Sequence, residues 1–230
     1  VSHFIKDQII EYFNVNKEKI EVIYPGCSEG FKEIRKDICR EFLKNNYNIQ
    51  GEFLLYVGSI HPRKNLHVLL NILKEIKKYD CTRDMKLVIV GKYDGKRYEY
   101  YSKLRTMLRF LSIEDSVVFT GVVEYENMIY FYNGAECLIN LSLYDGFPLS
   151  VLEAMACKAP VICNDNSLFE EIIKDGGILV DYHDETYIKE AILELLLNSN
   201  FRISIAEKGR QLSKIYTWKK AIQKTVEIYK

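Results

Sequence analysis

Two carboxylates eight positions apart, Asp145 and Glu153, flank the stretch Gly146-Phe147-Pro148-Leu149 and the apolar run that follows it, Val151, Leu152, Ala154, Met155 and Ala156. The run reads as a buried helix opening after a glycine-containing turn, which puts Asp145 at the loop end of a strand and Glu153 about one turn into the helix. Backbone N–H groups between them lie at the positive end of the helix dipole and lack intrahelical acceptors. Carboxylates accept hydrogen bonds from hydroxyls, and free N–H groups donate to phosphate. A ligand that carries both, as a sugar nucleotide does, suits this combination. A glutamate near a helix start is favourable without any ligand, but its apolar neighbours make an unpartnered Glu153 costly once the helix is buried. Asp145-Gly146 alone is also an ordinary turn pair. Pro148 lacks an N–H and suits the first helical position.

A second group is cationic. Gly58-Ser59-Ile60-His61-Pro62-Arg63-Lys64-Asn65 follows an apolar strand and leads into a helix. Arg63 and Lys64 fall in the first turn of that helix, a poor electrostatic position that calls for a compensating anion. A diphosphate would serve, because the two cations neutralise charge that grows on it as a leaving group. His61 has no orienting partner visible in the sequence and reads as polar surface rather than as an acid or base. No G-x-x-x-x-G-K-[ST], G-x-G-x-x-G or Asp-x-Asp occurs, which argues against nucleotide hydrolysis and dinucleotide redox chemistry and implies no metal.

The elements that must position these groups alternate. Apolar runs at residues 53–57, 86–90, 116–120, 137–140, 160–163 and 178–180 read as strands, separated by helical patterns such as Leu66, Leu69, Leu70, Leu73 and Ile76. Strands apolar throughout have both faces covered, so the expected fold is α/β, a Rossmann-like doubly wound parallel sheet. Ligands in such sheets sit beyond the carboxyl ends of the strands, where residues 58–65, 91–95, 121–124 and 141–149 form the loops. Ser167 and Glu170 read as a capping box for the helix carrying Ile172 and Ile173. Ahead of the sheet, residues 2–13 read as a helix, 20–23 as a short strand and Tyr24-Pro25-Gly26 as a turn. Tyr98, Tyr100 and Tyr101, among seventeen tyrosines, cluster in one helix and mark partly buried amphipathic surface.

Composition sets the bounds. A chain of 230 residues with 48% hydrophobic content buries at least one full core. Lysine plus arginine equals aspartate plus glutamate at 32 each, so no net field points to nucleic acid or an anionic membrane surface. No apolar run approaches the roughly 18 residues of a membrane span. Six cysteines, without a C-x-x-C pair or a histidine at ligand spacing, read as reduced thiols of a cytosolic protein. A chain opening at Val1 rather than Met reads as a fragment or a processed product.

The stretch from Asp145 to Ile162 resembles the pattern E-G-F-x-x-x-x-L-E-A-M-A-x-G-x-P-V-I of the retaining GT4 glycosyltransferases, which have two Rossmann-like domains in the GT-B architecture. Asp145 stands at the first glutamate and Lys158 at the usual glycine, a position where a left-handed backbone costs a non-glycine residue about 1 kcal/mol. The resemblance implies a role for Asp145 beside the transferred sugar, for Glu153 on the nucleotide ribose and for Lys64 on the donor diphosphate. Arg63 would replace an arginine that many members carry where this chain has Ser59. Gly58, Ser59 and the backbone of Gly146, Phe147, Pro148 and Leu149 would shape the donor site, with Val122 and Val123 beside the base. Gly121 to Glu124 also fits a plain strand-to-helix turn. Arg63, Lys64 and Asp145 are thus the expected catalytic residues, with no metal or other cofactor.

The same resemblance divides the chain. Residues 1–25 would end an acceptor domain and hinge, 26–215 would form the donor domain, and 216–230, opening near Trp218, a helix packing toward the first domain. Expected partners are a GDP- or UDP-linked sugar, the missing acceptor domain and a glycan or lipid-linked acceptor. The expected setting is bacterial surface polysaccharide assembly in the cytoplasm, peripheral to the inner membrane through the absent domain; transfer by this chain alone is not expected. Mannose is suggested by the P-R-K-N loop. A sugar-nucleotide epimerase of the same fold, with His61 as the nearest acid or base, and a non-catalytic nucleotide-binding module are the alternatives.

Overall fold

A computed structural model describes the backbone of residues 1–230 and every side chain except that of Lys96. Helix α1 (His3–Phe13) and α2 (Lys36–Tyr47) precede an alternation of β1 (Phe53–Val57), α3 (Leu66–Ile76), β2 (Lys86–Val90), α4 (Tyr98–Leu111), β3 (Val117–Gly121), α5 (Met128–Gly134) and β4 (Cys137–Asn140). It continues through α6 (Leu149–Ala156), β5 (Val161–Asn164), α7 (Ser167–Ile173) and β6 (Ile178–Val180), and closes with α8 (Glu185–Leu197), α9 (Ser199–Ser213) and α10 (Trp218–Ile228). Among the described residues the strands form one all-parallel sheet in the order β3-β2-β1-β4-β5-β6. The expected doubly wound α/β fold is present. Strands β1 to β3 step one way and β4 to β6 the other, so the chain reverses direction between the neighbours β1 and β4.

The period of two along each strand divides the core. Leu54, Tyr56, Leu87, Ile89, Cys137 and Ile139 point to a layer shared with Leu69, Leu73, Leu108 and Ile192 of α3, α4 and α8. Phe53, Leu55, Val88, Val90, Leu138 and Val161 face the other layer, with Leu43, Phe131, Val151, Met155 and Ile172 of α2, α5, α6 and α7. Both faces being covered explains the unbroken apolar runs. No described helix is long and apolar enough to cross a membrane. All six cysteines are free, four of them buried.

Several local expectations shift. Strand β3 begins at Val117, because Ser116 closes a 3-10 turn, and β5 at Val161, because Pro160 has no N–H for the ladder. Residues 20–23 form no strand: no neighbour pairs with them, and the segment's one bridge joins Cys27 to Thr217. Tyr24-Pro25-Gly26 makes no turn; the turn falls at Glu29 and Gly30. Gly26 serves close approach instead, since a Cβ there would lie 1.9 Å from the Trp218 nitrogen. The cap of α7 is Asn166, whose side chain accepts from the Phe169 N–H, so Ser167 is the first helical residue and the expected capping box does not form. Asparagine caps at least as well as serine. Lys158 does take the left-handed conformation, φ 61°.

Candidate active site

The reversal between β1 and β4 is the point beyond whose strand ends such sheets take ligands, and the loops after those two strands are stitched together. Beyond β1 the chain is guided by hydrogen bonds from Gly58 N–H to the Val90 carbonyl and from Ile60 N–H to the Lys92 carbonyl. Gly91 must lack a side chain here, because its Cβ would lie 1.8 Å from the Gly58 oxygen. His61 caps a 3-10 turn, Pro62–Lys64, its Nδ1 accepting from the Arg63 N–H at 3.3 Å. The buried Asn65 amide then donates to the Leu141 carbonyl at 2.9 Å, and Leu143 N–H donates to the Arg63 carbonyl at 2.9 Å.

This stitching sets two cations on one carboxylate. Lys64 Nζ lies 2.6 and 2.7 Å from the two oxygens of Asp145, and Arg63 Nη1 lies 3.0 Å from Oδ1 while also donating to the Tyr144 carbonyl. The Lys64 side chain is only 8% exposed. Burial pushes its ammonium below the usual lysine range and Arg63 adds to that, against the pull of Asp145. Two sequence expectations need correction. Arg63 and Lys64 occupy a separate 3-10 turn ahead of α3, not its first turn, because Asn65 takes a left-handed conformation between them. The compensating anion they call for is Asp145 itself. The cluster keeps one positive charge in excess, and any further anion at Lys64 has to compete with Asp145.

Glu153 is handled differently. It is 7% exposed on α6 and accepts from the Tyr132 hydroxyl at 2.7 Å and the Tyr125 hydroxyl at 3.1 Å. Burial raises its pKa, and the two hydroxyls oppose that rise. The reverse pressure, burial first and then Glu153, pushes Tyr125 up to about 12 and Tyr132 well above its ordinary value. A buried carboxylate satisfied only by hydroxyls can exchange one of them for a ligand hydroxyl at little cost. Tyr125, which is half exposed in the turn Tyr125–Asn127, is the exchangeable partner; Tyr132 is fully buried.

Helix α6 starts at Leu149. Pro148 is its cap residue rather than its first residue: φ −86° and ψ 68° lie outside the helix, and its carbonyl accepts from Val151 and Leu152. Among the described hydrogen bonds none uses the N–H groups of Gly146, Phe147 or Ser150, so this helix start presents free donors. Beneath it lies a polar ladder that the sequence reading missed. Asn140 accepts from the N–H and hydroxyl of Ser142, and Asn164 and Asn166 both donate to the Ser142 carbonyl, at 3.3 and 3.2 Å. Asparagine as the last residue of β4 and again of β5 was the available signal, since strands disfavour it.

Residues 39–212 match the family described as Glycosyl transferases group 1. The chain belongs to that family. Over 230 residues it is 27% identical to the O-antigen chain mannosyltransferase B of Escherichia coli, covering all of this chain and 59% of that protein. Over 192 residues it is 30% identical to the O-antigen chain mannosyltransferase RfbU of Salmonella typhimurium, covering 84% of this chain and 48% of the relative. The chain thus spans about half to three-fifths of the length of these relatives. The fold is shared with a glycosyltransferase from Rickettsia africae, at TM-score 0.87 and 20% identity over 100% of this chain and 61% of that one. It is shared equally with Anabaena HepE solved with UDP and glucose, at TM-score 0.88 and 17% identity over 99% and 61%. At these identities the likeness is one of fold, and it covers the whole six-stranded sheet and its helices.

In this member of the group 1 family the site residues expected from the sequence fall in three places. Arg63, Lys64 and Asp145 meet at the strand reversal, with Gly146, Phe147, Pro148 and Leu149 continuing from it into α6. Gly58 and Ser59 form the wall after β1, where the Ser59 carbonyl accepts from the Tyr56 hydroxyl at 3.0 Å. On the β3 side, Val122 is 75% exposed while Val123 is partly buried against the core. Glu153 joins the rim through Tyr125, a residue not foreseen. Glu170, released from its capping role, is exposed at the start of α7. Among the described residues no group of three or more histidine, cysteine, aspartate or glutamate side chains is placed to hold a metal ion.

Proposed function

We propose that this chain is the donor-binding part of a retaining, GT4-type glycosyltransferase that takes a GDP- or UDP-linked sugar without a metal. The observation that carries this reading is the cluster of Lys64, Arg63 and Asp145 at the β1/β4 reversal, beside the free N–H groups that open α6. The diphosphate lies against Lys64, Arg63 and those N–H groups, which stabilise it as it departs. Asp145, displaced from Lys64, turns to the sugar, and Glu153 takes the ribose hydroxyls in place of Tyr125. His61 caps its turn through Nδ1, and among the described hydrogen bonds no carboxylate orients its ring as the acid or base that an epimerase needs. The named mannosyltransferase relatives make GDP-mannose the first donor to try, and surface polysaccharide synthesis at the cytoplasmic membrane face the first setting. Transfer requires an acceptor domain outside residues 26–215, and α10, with Trp218, Ile222 and Val226 exposed, packs toward it.

Calorimetric titration of the 230-residue chain with GDP, UDP, ADP and dTDP in EDTA tests the proposal. Saturable binding of one nucleotide, weakened by both Lys64→Ala and Glu153→Ala, is expected. Binding that requires a divalent metal, or that neither substitution weakens, overturns the assignment of these residues. Failure of every nucleotide to bind overturns donor binding by this chain.

A further inference from the structure

The loop between β4 and α6 has a second side, facing away from Arg63 and Lys64, and segments distant in sequence hold it there. The Ser2 side chain is fully buried, and its hydroxyl donates to the Gly146 carbonyl at 3.3 Å while accepting from the Ile5 N–H at 3.2 Å. One hydroxyl therefore caps α1 and grips the loop. Aromatic rings complete the contact: Phe4 lies 5.6 Å from Tyr144, and Phe147 lies 6.2 Å from Tyr24 and 6.0 Å from Tyr216.

A single carboxylate on α7 fixes this assembly from behind. Glu171 accepts from the His3 N–H at 2.9 Å, the Phe4 N–H at 3.1 Å and the Tyr24 hydroxyl at 2.6 Å. It satisfies two orphan donors of the first turn of α1 at the positive end of that helix and ties down Tyr24 as well. Burial and then Glu171 push the Tyr24 phenol well above its ordinary range, so it stays a hydrogen-bond donor at any working pH. No other described side chain joins α1, Tyr24 and α7 at one point.

We infer that Glu171 is a positioning residue for the sugar-facing loop, acting through α1 and Ser2 on Gly146 and through Tyr24 on Phe147. The inference rests on the donor reading above for its functional consequence. The cationic side of the loop is held separately, by the Asn65 and Leu143 hydrogen bonds to the β1 loop. Loss of Glu171 accordingly loosens residues 144–147 without moving Lys64. The diphosphate keeps its grip, and the sugar loses a fixed partner.

Two readouts on this chain test it, with Glu171→Ala, Glu171→Gln and Ser2→Ala. The first compares calorimetric affinity for GDP with GDP-mannose, and for UDP with UDP-glucose. In Glu171→Ala the preference for sugar nucleotide over bare nucleotide falls about fivefold, as expected when about one hydrogen bond's worth of order is lost, while bare-nucleotide affinity stays within about twofold. Glu171→Gln, which keeps carbonyl acceptance toward α1 or Tyr24, recovers part of the preference. The second readout is the backbone NMR order parameters of residues 144–147, which need no ligand. Lower values there in Glu171→Ala and Ser2→Ala, with strands β1 and β4 unchanged, are expected. Unaltered order parameters at 144–147 in folded variants overturn the positioning role, even where no nucleotide binds the parent chain and the donor reading has failed by itself. Lowered order parameters with an unaltered sugar preference overturn the link to sugar binding.

Discussion

The sheet carries a cluster of opposite charges at each end, and the two are built inversely. At the amino ends of the strands Glu136, just ahead of β4, is the buried member, its side chain 4% exposed, and Lys36, Arg40 and Arg202 reach in from α2 and α9 with side chains 31–39% exposed. Its own N–H is fixed to the Phe53 carbonyl at 2.9 Å. At the carboxyl ends the cation Lys64 is buried, and both it and Asp145 stand on loops. A carboxylate rooted beside a strand with cations drawn from two helices works as a staple between elements. A buried ammonium on a loop joins no helices to the sheet and incurs a desolvation cost that its one carboxylate offsets. Charge clustering alone therefore does not mark a site. Placement at the reversal of strand order, with the buried cation carried on a loop, does.

The largest effect expected from breaking this contrast is at the amino end. Glu136→Ala leaves three cations converging without a partner and should cost about 3 kcal/mol of stability, read by urea unfolding, with nucleotide affinity of the folded protein unchanged. A matching loss of affinity would mean that the two ends are coupled. Lys64→Met should do the opposite: affinity for the nucleoside diphosphate drops at least about tenfold, while the unfolding midpoint moves little, because Arg63 still neutralises Asp145.

A third prediction sharpens the contrast between charge-paired and hydroxyl-paired acids. Burial raises the folded-state pKa of Glu153 above its ordinary value of 4.5. The native state then binds more protons than the unfolded chain between those two values, so this group's contribution to stability is lost as pH rises through the folded pKa. Glu153→Gln abolishes that loss. The melting temperature of the variant relative to the parent should climb from pH 4.5 upward and level off above the folded pKa; a difference that is flat with pH would contradict the assignment. The smallest effect concerns Lys158, strained at φ 61° but paired with Glu207 at 3.3 Å and Glu33 at 3.5 Å. Glycine there relieves roughly 1 kcal/mol of strain, and adds unfolded-state entropy of similar size while losing weak surface pairs. Lys158→Gly should change stability by less than about 0.5 kcal/mol.

Much of the site was legible because it is local. The helix after Pro148 follows from apolar spacing, and Glu153 stands out as the one charge inside it. The poor position of Arg63 and Lys64 signalled an anion. Its identity was not legible, since Lys64 and Asp145 lie 81 positions apart and nothing in either segment specifies the other. The same holds for Ser2 against Gly146, separated by 144 positions, and for Glu171, which reads as an ordinary helix-surface glutamate until α1 is seen resting on it.

By itself the sequence determined the alternation of apolar strands and amphipathic helices, the parallel sheet covered on both faces, and the set of residues available at its rim. Those properties depend on neighbours within a turn of helix or a few strand positions, where side-chain period and backbone preference act directly. Tertiary structure alone decided the strand order that places β1 beside β4, and with it the pairing of Asp145 with two cations and of Ser2 with Gly146. These are choices among partners brought together by closing long loops. Loop closure costs nearly the same free energy for many pairings, so packing of the two core layers, not any local signal, selects among them.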